Sequence, residues 1–221
     1  MNTSTNIGEF LKGRLSIFID ASNVFFISKK LHVQIDYAKV VQFFRTFDPQ
    51  AKVYFFTAYQ DGYEKQMEYL ASLEAAGITV IKKPLKFIST PGKKKYPTPR
   101  KKKNNENNES KEEMVEEGFY KGNMDVELAM DAIRMMSQYD TFLLFSGDSD
   151  FFALLTYLKE HDKNVVVVSH PGFVAEELTS VGKFINIGEY LKRTPRKKKP
   201  RHQFTHKGDP KKTIETPLPH Y

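Results

Sequence analysis

Three short segments place acidic side chains where they could act together. "FIDASN" supplies Asp20 and, three residues on, Asn23. "KGNMDVELAMD" supplies Asp125, Glu127 and Asp131, and "SGDSDF" supplies Asp148 and Asp150. Asp148 and Asp150 follow the apolar run Thr141 to Phe145 by a short turn. A carboxylate at the edge of a core loses hydration, which costs several kcal/mol unless a cation or donor replaces the water. Several carboxylates brought together also raise one another's pKa. A divalent cation resolves both conflicts, and an all-oxygen ligand set favours Mg²⁺ or Mn²⁺. The chemistry such a group supports is in-line displacement at a phosphodiester.

Each segment also has a plainer reading. Asp148 or Ser149 is a natural N-cap for the helix predicted after it, Asp20 a turn residue and Asn23 a cap. On the helix predicted around Asp125, Glu127 and Asp131 are four apart and share a face. Asp125 lies about 200° from Glu127, so the three cannot all point inward. Glu127 is the one expected to be a solvated surface acid. Gly147 suits either a tight turn or close backbone approach by a ligand.

The elements that must position these residues alternate. Strands are predicted at Arg14 to Asp20, Ala51 to Tyr59, from Ile78 onward, Thr141 to Phe145, Asn164 to Val168 and Lys183 to Ile187. Helical spacing covers Asp36 to Phe47, Gly62 to Gly77, Met124 to Met136, Ser149 to His161 and Phe173 to Val181. Strands apolar on both faces, alternating with helices, predict a three-layer α/β/α domain around a mainly parallel sheet. In such sheets ligands bind beyond the strand carboxyl ends, where strand order reverses. If the strands ending at Asp20 and Phe145 are neighbours, the acids share one edge.

The chain has 221 residues, 40% of them hydrophobic, with no cysteine. That composition suits one domain with polar extensions and excludes disulfides, cysteine-ligated zinc and a thiol nucleophile. No apolar run approaches the ~20 residues of a membrane span, and the first residues lack a secretory pattern. The cytoplasm is the expected compartment. The net charge of +7 is unevenly spread: Ser89 to Glu113 carries +4, Gly188 to Tyr221 carries +7, and the remainder −4. Boundaries follow as an N-terminal segment 1–13, a domain 14–187 with a disordered basic insertion at about 89–117, and a basic tail 188–221. Basic arms on an acidic body suit a polyanionic partner held by counterion release. The lysines expected to serve it are Lys121, Lys93, Lys94, Lys95, Lys101, Lys102, Lys103, Lys197, Lys198 and Lys199. "NIGEFLK" at Asn6 recurs as "NIGEYLK" at Asn186, too short for a fold repeat.

"FIDASN", "KGNMDVELAMDA" and "SGDSDF", in that order, resemble the NYN domain of the PIN-like nuclease superfamily, in its LabA-like branch. The resemblance runs from about Leu15 to Ile187 and implies a metal-dependent nuclease, usually acting on RNA, with the choice between RNA and DNA left open by the sequence. It implies Asp20, Asp125, Asp148 and Asp150 as catalytic, metal-site residues, with Asn23, Asp131 and Ser146 in support. In this scheme Asp20, Asp125 and Asp148 bind the metal, while Asp150 binds a second ion or orients the nucleophile. It also implies pairing into a homodimer. Ala21 departs from the glycine frequent in the family, and the Lys/Asn-rich insertion is a second departure. A non-catalytic RNA-binding or regulatory module with the same fold is the alternative. A phosphatase for small phosphoesters fits the acids but not the basic arms.

Overall fold

A computed structural model describes residues 7–89, 96–97, 114–115, 118–190 and 194–195. Six strands form one sheet: β1 (Leu15–Asp20), β2 (Lys52–Tyr59), β3 (Thr79–Pro84), β4 (Thr141–Phe145), β5 (Asn164–Ser169) and β6 (Lys183–Asn186). Their order is β6-β5-β4-β1-β2-β3, and every neighbouring pair is parallel. The chain builds outward from β1 in one direction, then returns to its other side with β4. The order therefore reverses between β1 and β4, the neighbours that the acidic segments require.

The strands look uniformly apolar because both faces are buried, yet period-two alternation assigns each residue to a layer. Ile17, Ile19, Val53, Phe55, Leu143, Phe145, Val166 and Val168 enter one core. That core is covered by residues of α1 (Ala21–Leu31), α2 (Tyr37–Arg45) and α3 (Glu64–Ala75). Phe18, Tyr54, Phe56, Phe142, Leu144, Val165 and Val167 enter the other. Its cover comes from α4 (Asp125–Arg134), α5 (Phe152–Glu160) and α6 (Glu176–Val181). Phe18 anchors the second layer, with ring centroids 4.9 Å from both Tyr54 and Phe142 and 5.6 Å from Phe56. Burying each such ring stabilises the fold by roughly 1.5–3 kcal/mol, and the dense aromatic packing fixes β1 and β4 relative to each other.

Several expectations shift in detail. Helix α1 is unannounced by the sequence pattern. The segment predicted helical from Phe173 first forms a 3-10 turn, Pro171–Phe173, and its α-helix begins at Glu176. Where the basic insertion begins, Lys86–Ser89 pairs antiparallel with Gly118–Lys121. Within the insertion, Tyr96–Pro97 pairs antiparallel with Met114–Val115. Lys93, Lys94, Lys95, Lys101, Lys102, Lys103, Lys197, Lys198 and Lys199 lie outside the described residues. The two "NIGE" copies each fold as a single helical turn, Ile7–Glu9 and Ile187–Tyr190. Both sink an isoleucine, Ile7 and Ile187, into the first core layer. The first copy lies against the amino end of β5, where Asn164 donates its side-chain amide to the Phe10 carbonyl. The second follows the carboxyl end of β6.

Candidate metal centre

Asp20 is the last residue of β1 and the N-cap of α1. Its Oδ1 accepts from the Ser22 amide at 3.1 Å, the Ser22 hydroxyl at 2.7 Å and the Asn23 amide at 3.2 Å. The register explains its fourth bond. Ile19 pairs with Phe145 across β1 and β4, so the next residues, Asp20 and Ser146, face each other. There the buried Ser146 hydroxyl donates to Asp20 Oδ2 at 2.9 Å. Ser146 Oγ in turn accepts from the Asp148 amide at 3.2 Å. One serine thus ties the end of β1 to the loop after β4.

Asn23 clamps the same loop from α1, its Oδ1 accepting the Gly147 amide at 3.0 Å. The chain itself requires a glycine at 147. A Cβ there would stand 1.8 Å from the Phe173 carbonyl oxygen. The loop after β5 packs directly on it, and Gly147 accepts from the Ala175 amide at 3.0 Å. Asp148 then caps the 3-10 turn Ser149–Phe151 that leads into α5, its Oδ1 accepting the Asp150 amide at 3.1 Å. The plain N-cap reading of Asp148 is correct, and it coexists with a place in the acidic group.

That group consists of Asp125, Asp148 and Asp150. One carboxylate oxygen from each lies within 4.8 Å of the others. Asp125 opens α4 and is held by Asn123, which donates Nδ2–H to Asp125 Oδ2 at 2.6 Å and accepts its amide at 2.9 Å. Burial pushes the Asp125 carboxyl above its usual range. The Asn123 bond pulls the other way, while the charges of Asp20, Asp148 and Asp150 add to the rise. Asp20 therefore lies within electrostatic reach of Asp125 but outside the closest grouping.

The remaining acids of α4 point elsewhere. Glu127, the expected surface acid, keeps 39% of its side chain exposed and is also ion-paired: Lys83 Nζ on β3 lies 2.6 Å from Glu127 Oε1. The other oxygen, Oε2, is buried. Glu127 does diverge from Asp125, as the helical angle requires, but a lysine on a sheet strand meets it. Asp131 is paired with Arg134 at 3.5 Å, and its charge helps hold the Tyr54 hydroxyl above its ordinary pKa, after burial. Lys121 is exposed at the end of the hairpin strand Gly118–Lys121. Ser22 escaped the sequence reading, although a short polar residue two positions after an N-cap aspartate is a recognisable signal.

The donor set fits a hard divalent cation: three oxygen-only side chains, mutually repelling, one partly desolvated. A doubly wound parallel sheet with an acidic group at its switch point defines the class of domain. The chain matches the NYN domain family over residues 14–188 and belongs to it. It is LabA-like. It is 28% identical over 195 residues to the "Low amplitude and bright protein LabA" of Synechococcus elongatus, covering 85% of this chain and 92% of that one. A crystal structure of a protein of unknown function from Vibrio parahaemolyticus shares the fold. Its TM-score is 0.56 at 21% identity, covering 81% of this chain and 96% of that one. The family is one of nuclease-like domains. No helix among the described residues is long and apolar enough to cross a membrane.

Proposed function

We propose that this protein is a metal-dependent ribonuclease acting at the edge between β1 and β4. The observation that carries the reading is the convergence of Asp125, Asp148 and Asp150 within 4.8 Å at the sheet's switch point. These three would hold Mg²⁺ or Mn²⁺, with Asp20 adding charge from behind. A divalent cation in an all-oxygen site supplies Lewis-acid charge at a phosphoryl oxygen. The chain's own residues then divide the remaining work. Asp150, the most exposed of the three, orients the attacking water. Ser146 and Asn23 hold the loop so that the carboxylates need no reorganisation as substrate arrives. Lys121 and the lysines of the insertion and tail contact phosphates, which gives affinity without sequence choice. A cytoplasmic location and a homodimeric state belong to the same reading.

The test follows a labelled single-stranded RNA with wild-type protein and with Asp148→Asn in Mn²⁺, and with wild type in EDTA. Cleavage by wild type alone, abolished by EDTA, supports the reading. Intact RNA bound by folded wild-type protein would leave a non-catalytic RNA-binding module. Equal cleavage by the variant would remove Asp148 from the chemistry.

A further inference from the structure

Helix α1 leaves the acidic edge carrying an unusual row of side chains. Asn23, Phe26 and Lys30 are spaced three and four apart, so they share one face. Asn23 is fixed to the Asp148 loop through the Gly147 amide. Phe26 follows about 4.5 Å further along the axis and Lys30 about 10 Å, at ~1.5 Å per residue. Phe26 is 50% exposed, although the helix has a buried side for apolar residues in Ala21, Val24 and Ile27. The Lys30 ammonium sits 5.4 Å from its ring centroid.

A second aromatic surface adjoins the first. Phe173 meets Phe26 edge-on at 5.9 Å, and the His170 ring lies 5.6 Å from Phe173. This loop is the one whose carbonyl presses on Gly147, so its position is tied to the acidic loop. A half-exposed phenylalanine beside a lysine, in continuity with a phosphodiester site, matches the make-up of a platform for single strands. Such platforms combine a π-face for a base with a cation for the backbone.

Building on the nuclease reading, we propose that Phe26, backed by Phe173 and flanked by Lys30, is a base-stacking subsite for a single-stranded nucleic acid. It holds a nucleotide close to the phosphate presented to Asp125, Asp148 and Asp150. Duplex is disfavoured because its bases already stack on one another and cannot offer a face to Phe26. Lys30 neutralises a backbone phosphate beside the stacked base.

The chain contains no tryptophan, so one introduced indole reports alone. Phe26→Trp is titrated in EDTA with oligo(U), oligo(dT), an abasic oligomer of equal charge and a duplex, at one fixed salt concentration. Phe47→Trp is the control, since Phe47 is 40% exposed beside Asp48, which binds the Leu15 amide at the opposite end of β1. The expected result is quenching of Phe26→Trp fluorescence by single strands only, with the Phe47→Trp signal unaffected. Phe26→Leu, which keeps the apolar bulk without the π-face, should weaken single-strand binding roughly 5- to 150-fold by anisotropy. Comparison of oligo(U) with oligo(dT) separates RNA from DNA as the preferred strand. Equal quenching by the abasic oligomer or duplex, or binding by Phe26→Leu within about twofold of wild type, would overturn the proposal. The outcome is separable from the nuclease test. Quenching without any cleavage leaves the platform standing and the nuclease reading fallen, while metal-dependent cleavage with unchanged Phe26→Leu binding does the reverse.

Discussion

Asp20 and Asp148 stand at or just beyond the carboxyl ends of neighbouring strands, and each caps the helical turn that follows, yet their surroundings are opposite. Asp20 is 4% exposed and accepts from two amides and two hydroxyls. Asp148 engages one oxygen with the Asp150 amide and faces two further carboxylates. A buried carboxylate met by donors rigidifies a scaffold. One met by other carboxylates is repelled by them. The same residue type, at equivalent places in the fold, thus meets opposite surroundings.

Breaking the scaffold member should have the largest effect. Asp20→Ala removes an N-cap and strands the Ser146 hydroxyl in the core, so a loss of about 2–4 kcal/mol is expected in urea unfolding. Asp20→Asn, which keeps an acceptor for the α1 amides, should lose far less. Gly147→Ala comes next. Its methyl meets the Phe173 carbonyl, and forcing the two loops apart should cost about 1–3 kcal/mol. It should also loosen the Asn23 clamp, seen as faster amide exchange at Gly147.

The site members sharpen the contrast through ligand linkage. Saturating Mn²⁺ should raise the wild-type melting temperature by about 3–6 °C. Asp148→Asn should abolish that rise while leaving metal-free stability within about 1 kcal/mol, because it removes repulsion along with charge. A rise of equal size in the variant would separate the ion from this group.

The smallest effect belongs to a carboxylate with neither duty. Arg14 grips Asp140 through side-chain bonds of 2.9 and 3.0 Å and an amide bond of 2.9 Å, holding its carboxyl well below the usual range. A depressed folded pKa stabilises above the unfolded value, and the gain is lost as pH falls through the ordinary aspartate range toward the folded one. The stability difference between wild type and Asp140→Asn should therefore be small at neutral pH, since both partners are about half exposed. It should vanish in acid-titrated melts.

Much of this was legible because it depends on local pattern. The run Thr141 to Phe145 matches β4, and Asp36 caps α2 as its sequence suggests. Asp20, Asp148 and Asp150 could be picked out by position after strands, and Asp125 by its place on a helix. Helix α1 was hidden because Phe25 and Phe26 interrupt the spacing of Ala21, Val24 and Ile27. An apolar residue kept exposed erases the periodicity by which a helix is recognised. The Lys83–Glu127 pair and the contact of Gly147 with Phe173 were invisible for a different reason. Each joins residues whose proximity exists only after the sheet has formed.

The Ser146–Asp20 hydrogen bond joins residues 126 positions apart, and that separation constrains when the site can exist. The pairing of β1 with β4 is a non-local contact, the kind that forms slowly because loop closure precedes its reward. During synthesis β1 emerges early and waits with one edge unpartnered until β4 is made. No acidic group can assemble before then, so an incomplete chain carries none of it. The insertion at 89–117 lies inside this loop, but closure entropy grows only logarithmically with length. Such an insertion can lengthen or shrink while hardly altering the folding that brings Asp20 and Asp148 together.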